Sequence, residues 1–409
     1  MDSKAIRSLF PMYENGVLMQ GKPLIWLDNA STTFKPKSVI EAMERYYCQE
    51  NSNAHRGDYD LSYQMDVEME KTRKAVASFI GASEKEIVFT SGTTASLNLV
   101  AFGYVAKHLT KDDEILISES EHASNVLPWF EVAKQVGCQV KYVPLSKEGR
   151  ILPSAVEAAM TEHTKIVSLA HVSNVLGYEL EAKAIAEIVH RHNAIFVLDG
   201  AQSVPHLVTD VADLDCDFLA FSGHKMCGPT GIGILYGKYE LLKQTEPVFT
   251  GGGMNVNFYL TGDAKYQEPP FRFEAGTQNL AGIIGLRAAI EFLSSIGMEE
   301  IERHERELKR YCVEKLEKLP KVTIYNPTSE AGIVTFNIEG VFAQDAATFF
   351  NSKGIAVRSG QHCAKLLNGF LGAPATVRAS FYLYTTKEDI DAFVDAVAHS
   401  EDYLDAYFN

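Results

Sequence analysis

The first two thirds of the chain repeat one pattern: short apolar, β-branched runs separated by stretches whose apolar residues recur at helical spacing. The runs fall at 86–90, 114–118, 140–143, 165–169, 194–198, 217–221 and 231–236, and helical periodicity at 125–135, 154–160 and 182–192. Strands alternating with helices in this way predict βα units and a large, mainly parallel sheet, an α/β class. In such open sheets ligands bind beyond the carboxyl ends of the strands. That places 90–94, 119–125, 171–177, 199–202 and 222–225 along one rim.

The pattern changes after Gly251-Gly252-Gly253, where a loop with prolines and aromatics runs to about 276. Two helices, 280–295 and a charged 298–319, lead into short strands at 322–325, 332–338, 356–358 and 377–381, interleaved with helices at 344–352 and 387–400. This predicts a smaller α+β unit. The expected division is a large domain over 21–275 and a small C-terminal domain over 276–409, with residues 1–20 free to pack on it or on its neighbour. A length of 409 residues suits two units, because it exceeds the size at which single cores usually stop growing.

Composition narrows the function classes. Hydrophobic residues at 46% and charged residues at 22% describe an ordinary globular chain. A net charge of -15 argues against nucleic acid and acidic membrane surfaces as partners. No apolar run is long enough for a membrane span, and the N-terminal stretch lacks a signal peptide's apolar core, so a cytoplasmic location is expected. The six cysteines form no C-x-x-C pair, so no metal site is expected and reduced thiols are the default. Cys48, Cys138, Cys216 and Cys312 are expected to be buried structural residues.

Four kinds of chemistry gather on the rim. Thr90-Ser91-Gly92-Thr93-Thr94 joins a strand to a helix start, where free amides and hydroxyls suit a phosphate. Asp199 ends an apolar strand, as a helix cap or as a carboxylate paired with a cation. His122 offers a flat ring that can stack or move a proton, and Asn174 adds a neutral donor and acceptor. Lys225, in Ser222-Gly223-His224-Lys225, leaves a buried strand where an amine is half-dehydrated, which lowers its pKa and makes it a nucleophile. An anion cradle, a carboxylate for a ring nitrogen, a stacking ring and a nucleophilic lysine are what pyridoxal phosphate requires.

The run Phe221 to Lys225 with Gly228-Pro229-Thr230-Gly231-Ile232-Gly233 resembles the lysine motif of the class V group of fold-type I pyridoxal phosphate enzymes. Leu27-Asp28-Asn29-Ala30-Ser31-Thr32-Thr33, Asn53-Ala54-His55-Arg56-Gly57, Asp199-Gly200-Ala201-Gln202 and Phe273-Glu274-Ala275-Gly276-Thr277 agree with it in order. Arg358-Ser359-Gly360-Gln361-His362-Cys363-Ala364 and Val377-Arg378-Ala379-Ser380-Phe381 are similar to the active-cysteine and substrate-arginine segments of SUF-type cysteine desulfurases.

The resemblance implies that Lys225 holds the cofactor and moves the substrate Cα proton. Asp199 would pair with the ring nitrogen, Gln202 bond the ring oxygen and His122 stack on the ring. Thr93, Thr94, Ser222 and His224 would hold the phosphate, with Thr277 reaching the neighbouring subunit's site in a homodimer. Arg378 and Asn174, with Arg358, His55 and Arg56, would bind the L-cysteine substrate. Cys363 would take its sulfur as a persulfide for a sulfur-acceptor protein, a SUF-type scaffold or carrier serving iron-sulfur cluster assembly. The neighbours His362 and Lys365 are expected to favour its thiolate. Selenocysteine lyase and cysteine sulfinate desulfinase are the nearest alternatives. The chain departs from the pattern at Ala95, Gln361 and Lys365-Leu366-Leu367, and has Gln344 where desulfurases using a zinc-binding scaffold carry histidine, differences that bear on loop shape and partner choice.

Overall fold

In the computed structural model, which describes residues 1–54 and 57–404, the apolar runs form one seven-stranded sheet. Its strands are β1 (Ile87–Thr90), β2 (Glu114–Ser118), β3 (Gln139–Val143), β4 (Thr164–Ala170), β5 (Ile195–Asp199), β6 (Phe218–Ser222) and β7 (Gly233–Gly237), in the order β1-β7-β6-β5-β4-β2-β3. Pairing is parallel except around β7, which runs antiparallel to both β1 and β6. The expected mainly parallel sheet is therefore present. Its central strands are buried along almost their whole length because helices cover both faces.

β7 sits so close to the turn after β1 that Gly233 has no room for a side chain. A Cβ there would lie 2.4 Å from Gly92 Cα and 2.6 Å from Phe221 O. This approach brings the Thr93 helix start against Ser222 at the end of β6.

The helix Asp60–Ile80, 21 residues long, lies outside the sequence expectation. Its inner face carries Arg73, which is 1% exposed and makes a bidentate pair with Glu274 at 2.9 and 3.0 Å. Helix Leu280–Ile296 packs its apolar face in the same core as the large sheet, whereas helix Met298–Leu316 turns toward the small one.

The small sheet has β8 (Val322–Ile324), β9 (Ile333–Ile338), β10 (Arg358–Gly360) and β11 (Thr376–Ser380) in the antiparallel order β8-β9-β11-β10. The single strand expected at 356–358 is in fact two. Ile355–Ala356 pairs in parallel with Ile25–Trp26, and the chain then changes partner so that Arg358 joins β11. A strand of two or three residues gives too short a pattern to show such a switch. The N-terminal segment bridges both regions: Phe10 packs edge-on against Phe292 and Tyr384, and Arg7 donates to the Tyr384 carbonyl. No single helix among the described residues is long and apolar enough to cross a membrane.

Candidate active site

The strand ends β1, β4, β5 and β6 converge on a cavity with about 180 Å³ open to the centre of a water molecule. Lys225 sits on its wall in the short turn Gly223–Lys225 that follows β6. It keeps some exposure to the cavity, but desolvation lowers its amine from the ordinary 10.5 to about 8. The nearby Asp199 pulls the other way, and Arg378 and Arg358 add to the lowering. The turn is pinned at the carbonyl of His224, which accepts from Thr33 N (3.0 Å) and from Thr32 Oγ1, Thr33 Oγ1 and Lys35 Nζ (3.1 Å each).

Asp199 ends β5 with 4% exposure, and burial raises its pKa. One oxygen accepts from Ala201 N at 2.9 Å, so the residue caps the following turn and also lines the cavity. Gln202 donates one amide hydrogen to Ala30 O at 2.7 Å, keeps a second, and leaves its buried Oε1 without a partner. His122 accepts Ser124 N–H on Nδ1 at 3.1 Å, which places its own hydrogen on Nε2. Burial first, then the cations Lys225, Arg358 and Arg378, lower its pKa to about 4, so the ring is neutral at physiological pH. At the far end Ser222 Oγ meets Thr93 N at 2.8 Å and Thr93 Oγ1 at 2.7 Å, Thr94 Oγ1 meets Ser124 Oγ at 2.8 Å, and His224 closes the wall.

The opposite end is cationic. Arg378 on β11 is 1% exposed and directly opposite Arg358 on β10. Like charges facing each other across strands repel, and three nearby groups offset this. Arg378 donates to Asn174 O (2.8 Å), Asp28 Oδ1 (3.1 Å) and Ser31 Oγ (3.2 Å), and its buried Nε has no partner. Asn174 Nδ2 donates to His362 O at 2.8 Å. Cys363 is exposed, its carbonyl held by Ala123 N–H at 2.7 Å and its Sγ 3.4 Å from Arg358 Nη2. Both His362 and Cys363 take the left-handed backbone, with φ of 51° and 58°, a conformation costly for side chains of this size.

Two expectations are corrected here. His362 does not supply positive charge to Cys363: its ring is buried against Thr376, and desolvation lowers its pKa to about 3. Lys365 is exposed, and the cation at the sulfur is Arg358. Cys48 is exposed rather than buried, because it lies on the outer turn of Tyr46–Glu50, whereas Cys138, Cys216 and Cys312 are buried as expected. Thr277 lies outside the cavity on an exposed loop, bonded to Asn53, in a groove that Thr94 also lines. His55 and Arg56 fall outside the described residues. Three residues that the sequence reading did not single out belong to the site. Ser31 and Asp28 sit within the quoted Leu27 to Thr33 run, and the buried Glu121 precedes His122, hydrogen-bonded to Ser118 and Asn125, with burial raising its pKa to about 8.

The cavity fits pyridoxal phosphate on its own chemistry: an amine near pKa 8, a buried carboxylate, a glutamine with a free amide hydrogen, a neutral imidazole and a hydroxyl and amide cradle line it. Fold and cavity together define a pyridoxal phosphate-dependent α/β enzyme. The chain belongs to the class-V aminotransferase family, which it matches over residues 25–393. It is 49% identical over the whole of both chains to a protein from Halalkalibacterium halodurans described as a probable cysteine desulfurase. It is similar to the apo structure of a cysteine desulfurase from Thermococcus onnurineus (39% identity, TM-score 0.91, 97% of both chains). A cysteine desulfurase from Escherichia coli solved as its S-sulfonic acid is comparable, at 36% identity, TM-score 0.91, and 98% of this chain and 99% of that one.

Proposed function

We propose that this chain is a cysteine desulfurase, converting L-cysteine to L-alanine and holding the sulfur as a persulfide on Cys363. The observation that carries this reading is the Cys363 thiol set against Arg358 at the cationic end of a cavity that Lys225 also lines. Pyridoxal phosphate, held by Lys225, Asp199, Gln202, His122 and the Thr93, Thr94, Ser222 and His224 cradle, supplies an electron sink conjugated with the substrate amine.

Arg378 takes the substrate carboxylate with its unpartnered Nε and with Nη2, which shares its hydrogens between that carboxylate and its present acceptors Asp28 and Ser31, a planar fork that matches two carboxylate oxygens. Lys225, neutral above about pH 8, removes the Cα proton and returns protons to carbon. The Cys363 thiolate attacks the substrate sulfur. An S–S bond forms as the Cβ–S bond breaks, its electron pair stays with carbon, and protonation there gives alanine. Arg358 places its positive charge and an N–H donor beside the attacking sulfur.

The persulfide then passes to a sulfur-acceptor protein, a SUF-type scaffold or carrier, for iron-sulfur cluster assembly. The exposure of Cys363 supports a handover of this kind. A homodimer is supported by exposed Thr277 and Phe249 on the groove that shares Thr94 with the cavity. Free thiols at all six cysteines suit a reducing cytoplasm. The test is alanine formation from L-cysteine by the purified protein and by Cys363→Ala. The expected result is turnover by the parent, with the variant retaining cofactor absorbance but losing sulfur transfer to an added acceptor. Negligible cysteine turnover, together with selenocysteine or cysteine sulfinate turnover that survives Cys363→Ala, would overturn it.

A further inference from the structure

Ser31 stands in a tight turn, its N–H bonded to Asp28 O at 3.1 Å, and the turn is fixed to β11 by Ala30 N–H donating to Ser380 Oγ at 2.9 Å. Its hydroxyl touches three charged side chains: Asp28 Oδ1 at 2.8 Å, Arg358 Nη1 at 2.9 Å and Arg378 Nη2 at 3.2 Å. A hydroxyl has one hydrogen and two lone pairs, and a guanidinium can only donate. The hydrogen therefore goes to Asp28, and the two lone pairs receive the two arginines. Every hydrogen-bonding capacity of Ser31 is used, so its orientation is determined.

We propose that Ser31 is a positioning residue for sulfur transfer, holding the Arg358 guanidinium at the Cys363 sulfur. The proposal rests on the cysteine desulfurase reading for the meaning of that sulfur. Among the described residues Arg358 makes two side-chain hydrogen bonds, one from Nη1 to Ser31 and one from Nη2 to Cys363 Sγ. The first anchors the planar group whose other nitrogen meets the sulfur. Without it, Arg358 faces Arg378 across the strand pair with no acceptor between them, and repulsion turns it toward solvent. Arg378 keeps Asn174 O and Asp28 in that case, so substrate carboxylate binding is affected less than the thiol. The charged and titratable groups around Cys363 are Arg358, Arg378, Lys225, His122 on the loop that binds its carbonyl, and its own neighbours His362 and Lys365.

The test compares holoenzyme of the parent, Ser31→Ala, Ser31→Gly and Ser31→Thr. Iodoacetamide alkylation of the Cys363 peptide is followed by mass spectrometry from pH 5 to 10, with cofactor absorbance as the check on folding. Removal of the hydroxyl is expected to slow alkylation at neutral pH by about tenfold, while Ser31→Thr stays within about twofold of the parent. The kcat for alanine formation falls by about tenfold in the hydroxyl-free variants, with KM for cysteine changed by less than about threefold. Parent-like alkylation rates in both Ser31→Ala and Ser31→Gly overturn the proposal, as does a Ser31→Thr variant that is equally impaired. Alkylation needs no turnover. A parent protein inactive on cysteine would therefore sink the functional reading while the alkylation rates still decide the role of Ser31.

Discussion

Replacing Arg378 with lysine keeps the positive charge and removes the fork. In the structure the guanidinium is 1% exposed and already holds Asn174 O, Asp28 and Ser31, so its plane is set before substrate arrives. A lysine ammonium is a point donor and cannot satisfy these partners and two carboxylate oxygens at once. Hydrogen bonds to charged groups are worth about 1.5–3 kcal/mol each. Loss of the bidentate geometry therefore costs about 3–4 kcal/mol in substrate binding, a ~100- to ~1000-fold fall in kcat/KM. The carboxylate lies away from the bond that breaks, so most of the loss appears as a raised KM with kcat changed little. Steady-state alanine production across a range of cysteine concentrations separates the two. A KM within threefold of the parent would refute the assignment of Arg378 to the carboxylate, and an equal fall in kcat with KM constant would place the residue at the reacting sulfur instead.

With its amine at about pKa 8, Lys225 in the apo protein is roughly a quarter neutral at pH 7.5, against ~0.1% for an ordinary lysine at 10.5. The rate of cofactor uptake, followed by absorbance, is expected to rise through pH 8 and level off above it. A rise continuing to pH 10.5 would contradict the buried-amine argument. The same shift has a sign for stability. The folded-state pKa lies below the unfolded one, so the unfolded chain binds more protons between about 8 and 10.5, and this group's contribution to apo stability increases as pH climbs through that window. Glu274→Ala removes the buried carboxylate that holds Arg73 bidentately, leaving it Ile87 O and the half-exposed Glu70, and Phe89 N–H loses its acceptor. Denaturant unfolding is expected to show a loss of about 3–5 kcal/mol, which a paired replacement of Arg73 by methionine recovers in part; an unchanged midpoint would show that the pair is not holding helix Asp60–Ile80 to the sheet.

The residues proposed to hold the cofactor were legible because they lie at strand ends. Strand ends follow from local apolar periodicity, so Asp199, Lys225 and the Thr93-Thr94 turn could be placed on one rim without coordinates. Helix Asp60–Ile80 was missed for the complementary reason. Its inner face holds Thr72 and Arg73, polar residues that a periodicity reading assigns to solvent; Thr72 donates to Glu68 O one turn back, and Arg73 is held by Ile87 O, by Glu70 and bidentately by Glu274, 201 positions away.

By itself the sequence determined the alternating αβ architecture, the rim and the kind of cofactor that rim accepts, because these depend on short-range pattern and residue type. The tertiary structure decided what surrounds the sulfur. Cys363 sits beside His362 in the chain, yet a left-handed turn sends the histidine ring inward to Thr376 and leaves the cysteine outside. The cation it meets is Arg358, placed by strand register opposite Arg378 and anchored by Ser31, 327 positions earlier. Register and long-range hydrogen bonds of this kind are set by how sheet and turn pack together, so no local stretch of sequence contains them.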